Sequence, residues 1–383
     1  MSKKIKLLVY TSHLGGGGAE KHLVRILNYF DFNVFNVLVV TTTLFGEYEK
    51  DLNENIQIKR CGLSFPFKYS ATFGRLTTYY GLRKTLKNWK PDVFFSIQDI
   101  HNVIALKAWE SLKQPCKIVL GVQNSVLDRY TDTKIADRWV LKTIKSKYHL
   151  SDKVIALSEG VKEGLISLNP SLNSVTKVIY NAGYDDNVLK RIAAHKNYLL
   201  TKKSGKHIII ACGRLTKQKG YKYLLPAFEK VFSVNPNVEL WILGIGELED
   251  KLKQMAIDLG IGESVKFLGF KNDPFEYFVK ADLFVLSSEF EGFGNVVVEA
   301  MVSGLPVVST DCPHGPREIL NGGEFGTLVE VGNADALFEG MMALINDKEL
   351  TDRLKIVGQQ RAAQYHAQII SNEYQKAFKE VLK

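Results

Sequence analysis

Two short stretches with apolar centres, ADLFVLS (281–287) and LPVVST (305–310), lie only seventeen residues apart. With LFVL and LPVV unbroken by a polar residue, they read as strands buried on both faces, which is how strands of a parallel sheet read. Parallel neighbours cannot be joined by a tight turn; the connection must cross over the sheet. The only chain available for that crossover is SEFEGFGNVVVEAMVSG (288–304). Its three consecutive valines favour a strand, whereas its ending, EAMVSG, favours a helix closed by Gly304. The crossover requirement decides for the helix, so NVVVEAMVS is expected to be helical. Glu291 then lies in the loop at the carboxyl end of a strand, and Glu299 a little over one turn into the helix. Both face the place where doubly wound sheets bind ligands.

The same rhythm runs through the chain. Strands are expected at KIKLLVY, NVLVVTT, DVFFSI, CKIVLGV and KVIALS in the first half, with AEKHLVRILNYF spaced as a helix between the first two. VTKVIYNAGYDDN ends this unit. The pattern then restarts with HIIIACG, a helix from about Tyr221, NVELWILG, the helix KLKQMAIDLG, and SVKFLGF. Strands alternating with helices of this length mean parallel sheets and right-handed crossovers. At 383 residues the chain is long for one core and suits two. The expected fold is α/β: two doubly wound Rossmann-like domains with a cleft between them. Residues 1–185 form the first, 186–205 a polar linker with some helix, and 206–365 the second. The segment from Leu350 reads as one long final helix, whose end, 366–383, returns to the first domain.

MSKKIKLLVY has too short an apolar run for a secretory signal, and no stretch reaches membrane-spanning length. Cys61, Cys116, Cys212 and Cys312 lack metal-ligand spacing and read as reduced thiols of a cytosolic protein. The net charge of +9 is uneven: from Lys59 to Lys147 there are 17 Lys or Arg against 6 Asp or Glu, leaving the rest near −2. TFGRLTTYYGLRKTLKNWK (72–90) and DTKIADRWVLKTIKSKYHL (132–150) mix these cations with aromatic residues. Such helices suit an anionic membrane surface, and equally a solvated face over an aromatic core. No nucleic-acid-binding motif accompanies the charge.

Three loops carry the chemistry. HLGGGGAEK (13–21) follows the first strand and opens a helix, so backbone N–H groups there can approach a phosphate. It matches neither the dinucleotide fingerprint nor a P-loop, and a merely flexible turn accounts for it equally. GIGELE (244–249) sits at the equivalent place in the second half. CGRLTKQKG (212–220) puts Arg214 and Lys219 into one strand-to-helix loop, where two cations can clamp a diphosphate. Glu291 and Glu299 could be a glycosidase pair, but such a pair has no need of the surrounding cations and glycine loops. Carboxylates beside a diphosphate site can instead accept hydrogen bonds from sugar hydroxyls. The Asp pair in YDD (184–186) reads as a loop, so no metal site is expected.

Together these residues resemble family 4 of the glycosyltransferases, which have the GT-B architecture. EFEGFGNVVVEA matches the family's Glu-x7-Glu signature, GRLTKQKG its Arg and Lys phosphate clamp, and GGAEKHL its N-terminal glycine loop. DCPHGPREIL (311–320) resembles the branch that builds bacterial surface polysaccharides and lipid-linked oligosaccharides. The resemblance covers nearly the whole chain. It implies that Arg214 and Lys219 neutralise the leaving diphosphate and that Glu299 holds the ribose. Glu291, with backbone from Gly292, Phe293, Gly294 and Asn295, would hold the donor sugar. Phe270 and Lys271 would receive the base, Gly244 and Gly246 would take part in donor binding, and Gly17 and Gly18 would approach the donor from the first domain.

One position departs from the family pattern. Many relatives carry a histidine after the strand KIVLGV, where this chain has Gln123 and Asn124. Glutamine can donate a hydrogen bond but cannot act as a base near neutral pH. His101, read as ending a different strand, is the other candidate for positioning sugar or acceptor. In this family configuration is retained and the leaving phosphate takes the acceptor's proton, so losing the histidine would weaken positioning without removing the base. The implied activity is retaining, metal-independent transfer from a nucleotide-sugar to a lipid-linked glycan at the inner face of the cytoplasmic membrane. No cofactor is implied, and no nucleic-acid partner. A UDP-sugar epimerase of the same fold and an inactive nucleotide-sugar-binding scaffold are the rival readings.

Overall fold

Both halves of the chain build an all-parallel sheet with the same internal strand order. The computed structural model describes residues 3–15, 17–43, 46–61, 71–130, 134–198, 205–312 and 314–383. Gly16, residues 132–133 of the second basic stretch, 199–204 of the expected linker and Pro313 therefore lie outside the described residues. The chain divides into two units, residues 1–182 with 367–383, and 183–366.

The first unit comprises β1 (Ile5–Thr11), α1 (Gly18–Asn28), β2 (Phe35–Thr41), β3 (Gln57–Arg60), α2 (Ala71–Trp89), β4 (Val93–Ile97), α3 (Asp99–Glu110), β5 (Lys117–Val122), α4 (Val126–Arg129), α5 (Ile135–Lys147), β6 (Lys153–Ala156), α6 (Glu159–Leu168) and β7 (Thr176–Val178). Its strands run β3-β2-β1-β4-β5-β6-β7, all parallel. VFFSI of β4 is buried along its whole length, as a strand covered on both faces must be.

The second unit comprises α7 (Asp186–Tyr198), β8 (His207–Cys212), α8 (Tyr221–Val234), β9 (Val238–Leu243), α9 (Glu249–Asp258), β10 (Val265–Gly269), α10 (Phe275–Phe278), β11 (Leu283–Leu286), α11 (Asn295–Ser303), β12 (Val307–Thr310), α12 (Pro316–Ile319), β13 (Thr327–Val329), α13 (Ala334–Asn346) and α14 (Lys348–Ala362). Its sheet runs β10-β9-β8-β11-β12-β13, again all parallel. Much of the expected linker is thus helix α7, whose His195 bonds Asp273 at 2.9 Å within this unit.

Strands β11 and β12 pair in parallel, and the valines between them are helical as the crossover demands. Gly304 closes α11 in the left-handed conformation (φ 90°) that suits glycine.

The expected single long helix from Leu350 is two. After α14 and a short turn, His366 is extended (φ −65°, ψ 139°), and α15 (Ala367–Glu380) follows. The break is tertiary in origin: His366 pairs beside Tyr184 and lies 3.2 Å from the Asp186 carboxylate. Helix α14 belongs to the second unit and α15 to the first, where Tyr374 and Phe378 pack their rings on Phe95.

Candidate functional site

In the second unit the sheet order reverses direction between β8 and β11, and ligands of doubly wound sheets bind beyond the carboxyl ends of strands at such a point. The loops following these two strands meet there and are laced together. Ser287 Oγ donates to Lys219 O at 2.8 Å, Gln218 Nε2 to Phe290 O at 2.9 Å, and Glu289 N to Gln218 O at 2.8 Å. Lys219 Nζ lies 2.5 Å from Glu291 Oε1, and the two side chains are only 16% and 8% exposed. Ser288, fully buried, donates its hydroxyl to the same Oε1 at 2.6 Å, and its own carbonyl accepts from Thr310 Oγ1 at 2.6 Å. Arg214 stands exposed on the same loop as Lys219. The expected cations and carboxylates therefore share one edge, but Lys219 is engaged with a carboxylate rather than open to solvent.

Helix α11 presents its N-terminus here, preceded by Gly294 with no side-chain cap. Its first-turn N–H groups and dipole offer a positive end to an anion. Asn295 opens the helix, and its buried Oδ1 has no hydrogen-bond partner among the described residues. Glu299 is buried one turn in. Phe293 is buried with its ring against Tyr365 (5.4 Å between centroids), so this side chain anchors the loop and only its backbone is available to a ligand.

The GIGELE loop packs against the β8 loop. A Cβ at Gly244 would stand 2.0 Å from Gly213 O, and one at Gly246 2.4 Å from Leu215 O. Both glycines are thus required by the close approach of two neighbouring loops, a reason the sequence did not reveal. Phe270 is 62% exposed directly after β10, at the carboxyl end of that strand, and Lys271 Nζ sits over the Tyr277 ring at 5.2 Å.

The remaining candidates lie in the first unit, at its own reversal between β1 and β4. Gly17 is the N-cap and Gly18 the first residue of α1. The space a Cβ would take at Gly17 is held by the Glu20 carboxylate (Oε2 at 2.0 Å). Glu20 Oε1 in turn accepts from Gln98 Nε2 at 2.6 Å. Gln98 adopts φ 78°, ψ 141°, a strained conformation for any residue but glycine. It turns the chain from β4 into α3, so His101 lies in the first turn of that helix and does not end a strand as expected. The His101 ring stands edge-on to Tyr10 at 5.7 Å, and burial holds its pKa down to about 4. Gln123 is buried beside Tyr374. Asn124 bonds Asp99, a fully buried carboxyl that also accepts from the Tyr130 hydroxyl at 3.0 Å and that burial pushes up to about 6.

Sequence reasoning passed over Ser288, Glu20, Gln98 and Asp99. The serine pair ahead of the Glu-x7-Glu signature and the glutamate ending GGAE were visible, but nothing local marks either as a partner. The strain at Gln98 has no sequence signal at all.

On the basic helices, Lys107 and Arg75 lie over the Trp139 ring at 4.3 and 5.5 Å, Arg83 over Tyr79, and Lys6 over Trp89. Leu76, Tyr80 and Ile135 are exposed. Among the described residues no helix is long and apolar enough to cross a membrane.

Known proteins resemble this chain in sequence and in fold. The model of Glycosyltransferase Family 4 matches residues 16–183, and that of Glycosyl transferases group 1 matches residues 199–361. An uncharacterized glycosyltransferase of Methanocaldococcus jannaschii is 33% identical over 266 residues, 67% of this chain and 63% of that protein. The N-acetylgalactosamine-N,N'-diacetylbacillosaminyl-diphospho-undecaprenol 4-alpha-N-acetylgalactosaminyltransferase of Campylobacter jejuni is 27% identical over 93% of this chain and 94% of its own. HepE of Anabaena, solved in complex with UDP-glucose, superposes with a TM-score of 0.78 at 22% identity, over 98% of this chain and all of that one, which shows a common fold. With one of the two models on each half and a relative of the same kind along nearly its whole length, the chain belongs to the family 4 glycosyltransferases, of GT-B fold.

Proposed function

We propose that the chain is a retaining, metal-independent glycosyltransferase. It moves a hexose or N-acetylhexosamine from a UDP-sugar to a polyprenyl-diphosphate-linked glycan of an O-antigen, capsule or similar surface polysaccharide. The observation that carries this reading is the convergence of Lys219, Arg214 and the α11 N-terminus on one sheet edge with buried Glu291 and Glu299. Fixed cations and an oriented helix end stabilise the charge that develops on a departing diphosphate. Glu299 holds the ribose, Glu291 and the 292–295 backbone the sugar, and Phe270 the base. The leaving phosphate accepts the acceptor's proton, so Gln123 in place of a histidine leaves the base intact. The Campylobacter relative's undecaprenol-linked acceptor supports a lipid-linked one here. Such an acceptor places the enzyme peripherally on the cytoplasmic face of the membrane, with the basic first unit toward the anionic surface.

Thermal stabilisation by a panel of nucleotide-sugars, followed by transfer of labelled sugar to synthetic polyprenyl-diphosphate glycans, tests the reading. Stabilisation by one UDP-sugar with formation of an α- or β-linkage matching the donor's own configuration is expected. Isomerised sugar from donor alone would favour the epimerase reading, and binding without either product the scaffold.

A further inference from the structure

The ion pair at the centre of the site is unusual in what it joins. Lys219, a diphosphate-clamping cation, and Glu291, a sugar-holding carboxylate, are bonded to each other at 2.5 Å. A pair between two incidental surface charges would be loose and solvated; this one is mostly shielded, with a second donor, Ser288 Oγ, on the same carboxylate oxygen. Ser288 is itself held by Thr310 through its carbonyl. The lysine stem lies along Gly213, where a Cβ would stand 3.1 Å from Lys219 Cε, and Ser287 pins the Lys219 carbonyl. The pair is built into the two loops. Burial keeps its neighbours neutral: it pushes the Cys312 thiol up to about 12 and raises the Tyr221 hydroxyl well above its ordinary value.

Resting on the donor reading above, the geometry points to Glu291 as the residue that expels the spent nucleoside diphosphate, by competing with it for Lys219. An entering diphosphate must take Lys219 from Glu291 and then sits beside an anion. With an intact nucleotide-sugar, the freed carboxylate gains hydroxyls of the sugar as new donors, which offsets the exchange. After transfer the sugar leaves with the acceptor. Glu291 then has lost the sugar's hydroxyls, recaptures Lys219, and the diphosphate loses a cation while keeping an anionic neighbour. The exchange moves no covalent bond; it trades one ion pair for another. Ser288 is a positioning residue in this account, since it keeps Oε1 within reach of the lysine.

Calorimetric titration of UDP into the wild type, Glu291→Gln, Lys219→Met and the double variant tests the exchange. Glutamine keeps the shape and removes the charge, so UDP should bind Glu291→Gln at least tenfold more tightly than wild type, although turnover falls. Lys219→Met should weaken UDP. In the double variant the gain from Glu291→Gln should shrink to threefold or less, because no lysine remains to be released. Wild type should prefer UDP-sugar over UDP by a larger factor than Glu291→Gln does. Equal or weaker UDP binding by a folded Glu291→Gln, or fully additive substitutions, would overturn the inference while leaving the donor reading standing. A wild-type chain that binds neither UDP nor any UDP-sugar would instead overturn the donor reading, and the exchange with it. If Glu291→Gln fails to fold, Glu291→Ala is titrated with the same expected direction.

Discussion

Replacing Lys219 by alanine should reduce turnover far more than replacing Arg214, although we propose the same diphosphate-clamping role for both. Lys219 is shielded, so an effective dielectric of about 20 applies to its attraction for a phosphate oxygen. At about 4 Å that attraction is about 4 kcal/mol, or roughly a thousandfold in rate if expressed only as the diphosphate leaves. Arg214 is exposed, and the more water-like dielectric around it should reduce its share to roughly tenfold. Lys219→Ala also leaves the buried Glu291 carboxylate without its cation. Removing one partner of a buried ion pair costs about 3–5 kcal/mol, a fall in melting temperature of roughly 6–20 °C for a unit of this size. Stability and chemistry separate experimentally: adding Glu291→Gln to Lys219→Ala should recover the melting temperature but not the turnover. The assay is turnover at saturating donor, well below the melting temperature of every variant. Turnover within threefold of wild type in both single variants would refute the electrostatic account, and equal losses in the two would refute the shielding argument.

Activity should survive excess EDTA, because Lys219, Arg214 and the α11 N-terminus supply the positive field; loss with chelator and recovery with Mg²⁺ or Mn²⁺ would contradict this. Acid should destabilise the first unit through its buried histidines. His22, whose Nδ1 accepts from Ala182 N at 2.9 Å, is held at about 3 and His101 at about 4, so each excludes a proton that the unfolded chain binds below about 6.5. Asp99, raised to about 6, acts in the opposite sense between about 6 and 4. The net contribution is about one proton taken up on unfolding in that window, a loss of about 1.4 kcal/mol per pH unit as pH falls. Denaturant melts of His22→Asn should lose that slope, and an unchanged slope would remove His22 from the account. Reversing the exposed Lys84 and Lys87 of α2 to glutamate should release the protein from anionic vesicles in flotation while leaving donor binding intact. Equal recovery on neutral and anionic vesicles would exclude an electrostatic contact.

Much of the architecture was legible in local sequence. Apolar runs as short as LFVL read as strands buried on both faces, and two of them a helix-length apart, if parallel, must be joined by a crossover. That reasoning placed the valines of α11 in a helix against their own propensity and put Glu291, Glu299, Arg214 and Lys219 beyond one sheet edge. What it could not reach depended on partners distant in the chain. Lys219 and Glu291 are 72 residues apart, and whether two opposite charges on neighbouring loops face a ligand or each other is set by loop packing. Gly244 and Gly17 look like phosphate-loop glycines, yet in the fold one yields to a neighbouring carbonyl and the other to Glu20. Phe293 points into the core, Gln98 is held in a strained turn, and the last helix breaks at His366 because that residue is bonded across to 184–186. Periodicity and propensity report what each segment does alone. The pairing of buried charges and the strain at a turn are properties of segments brought together, and only the tertiary structure decides them.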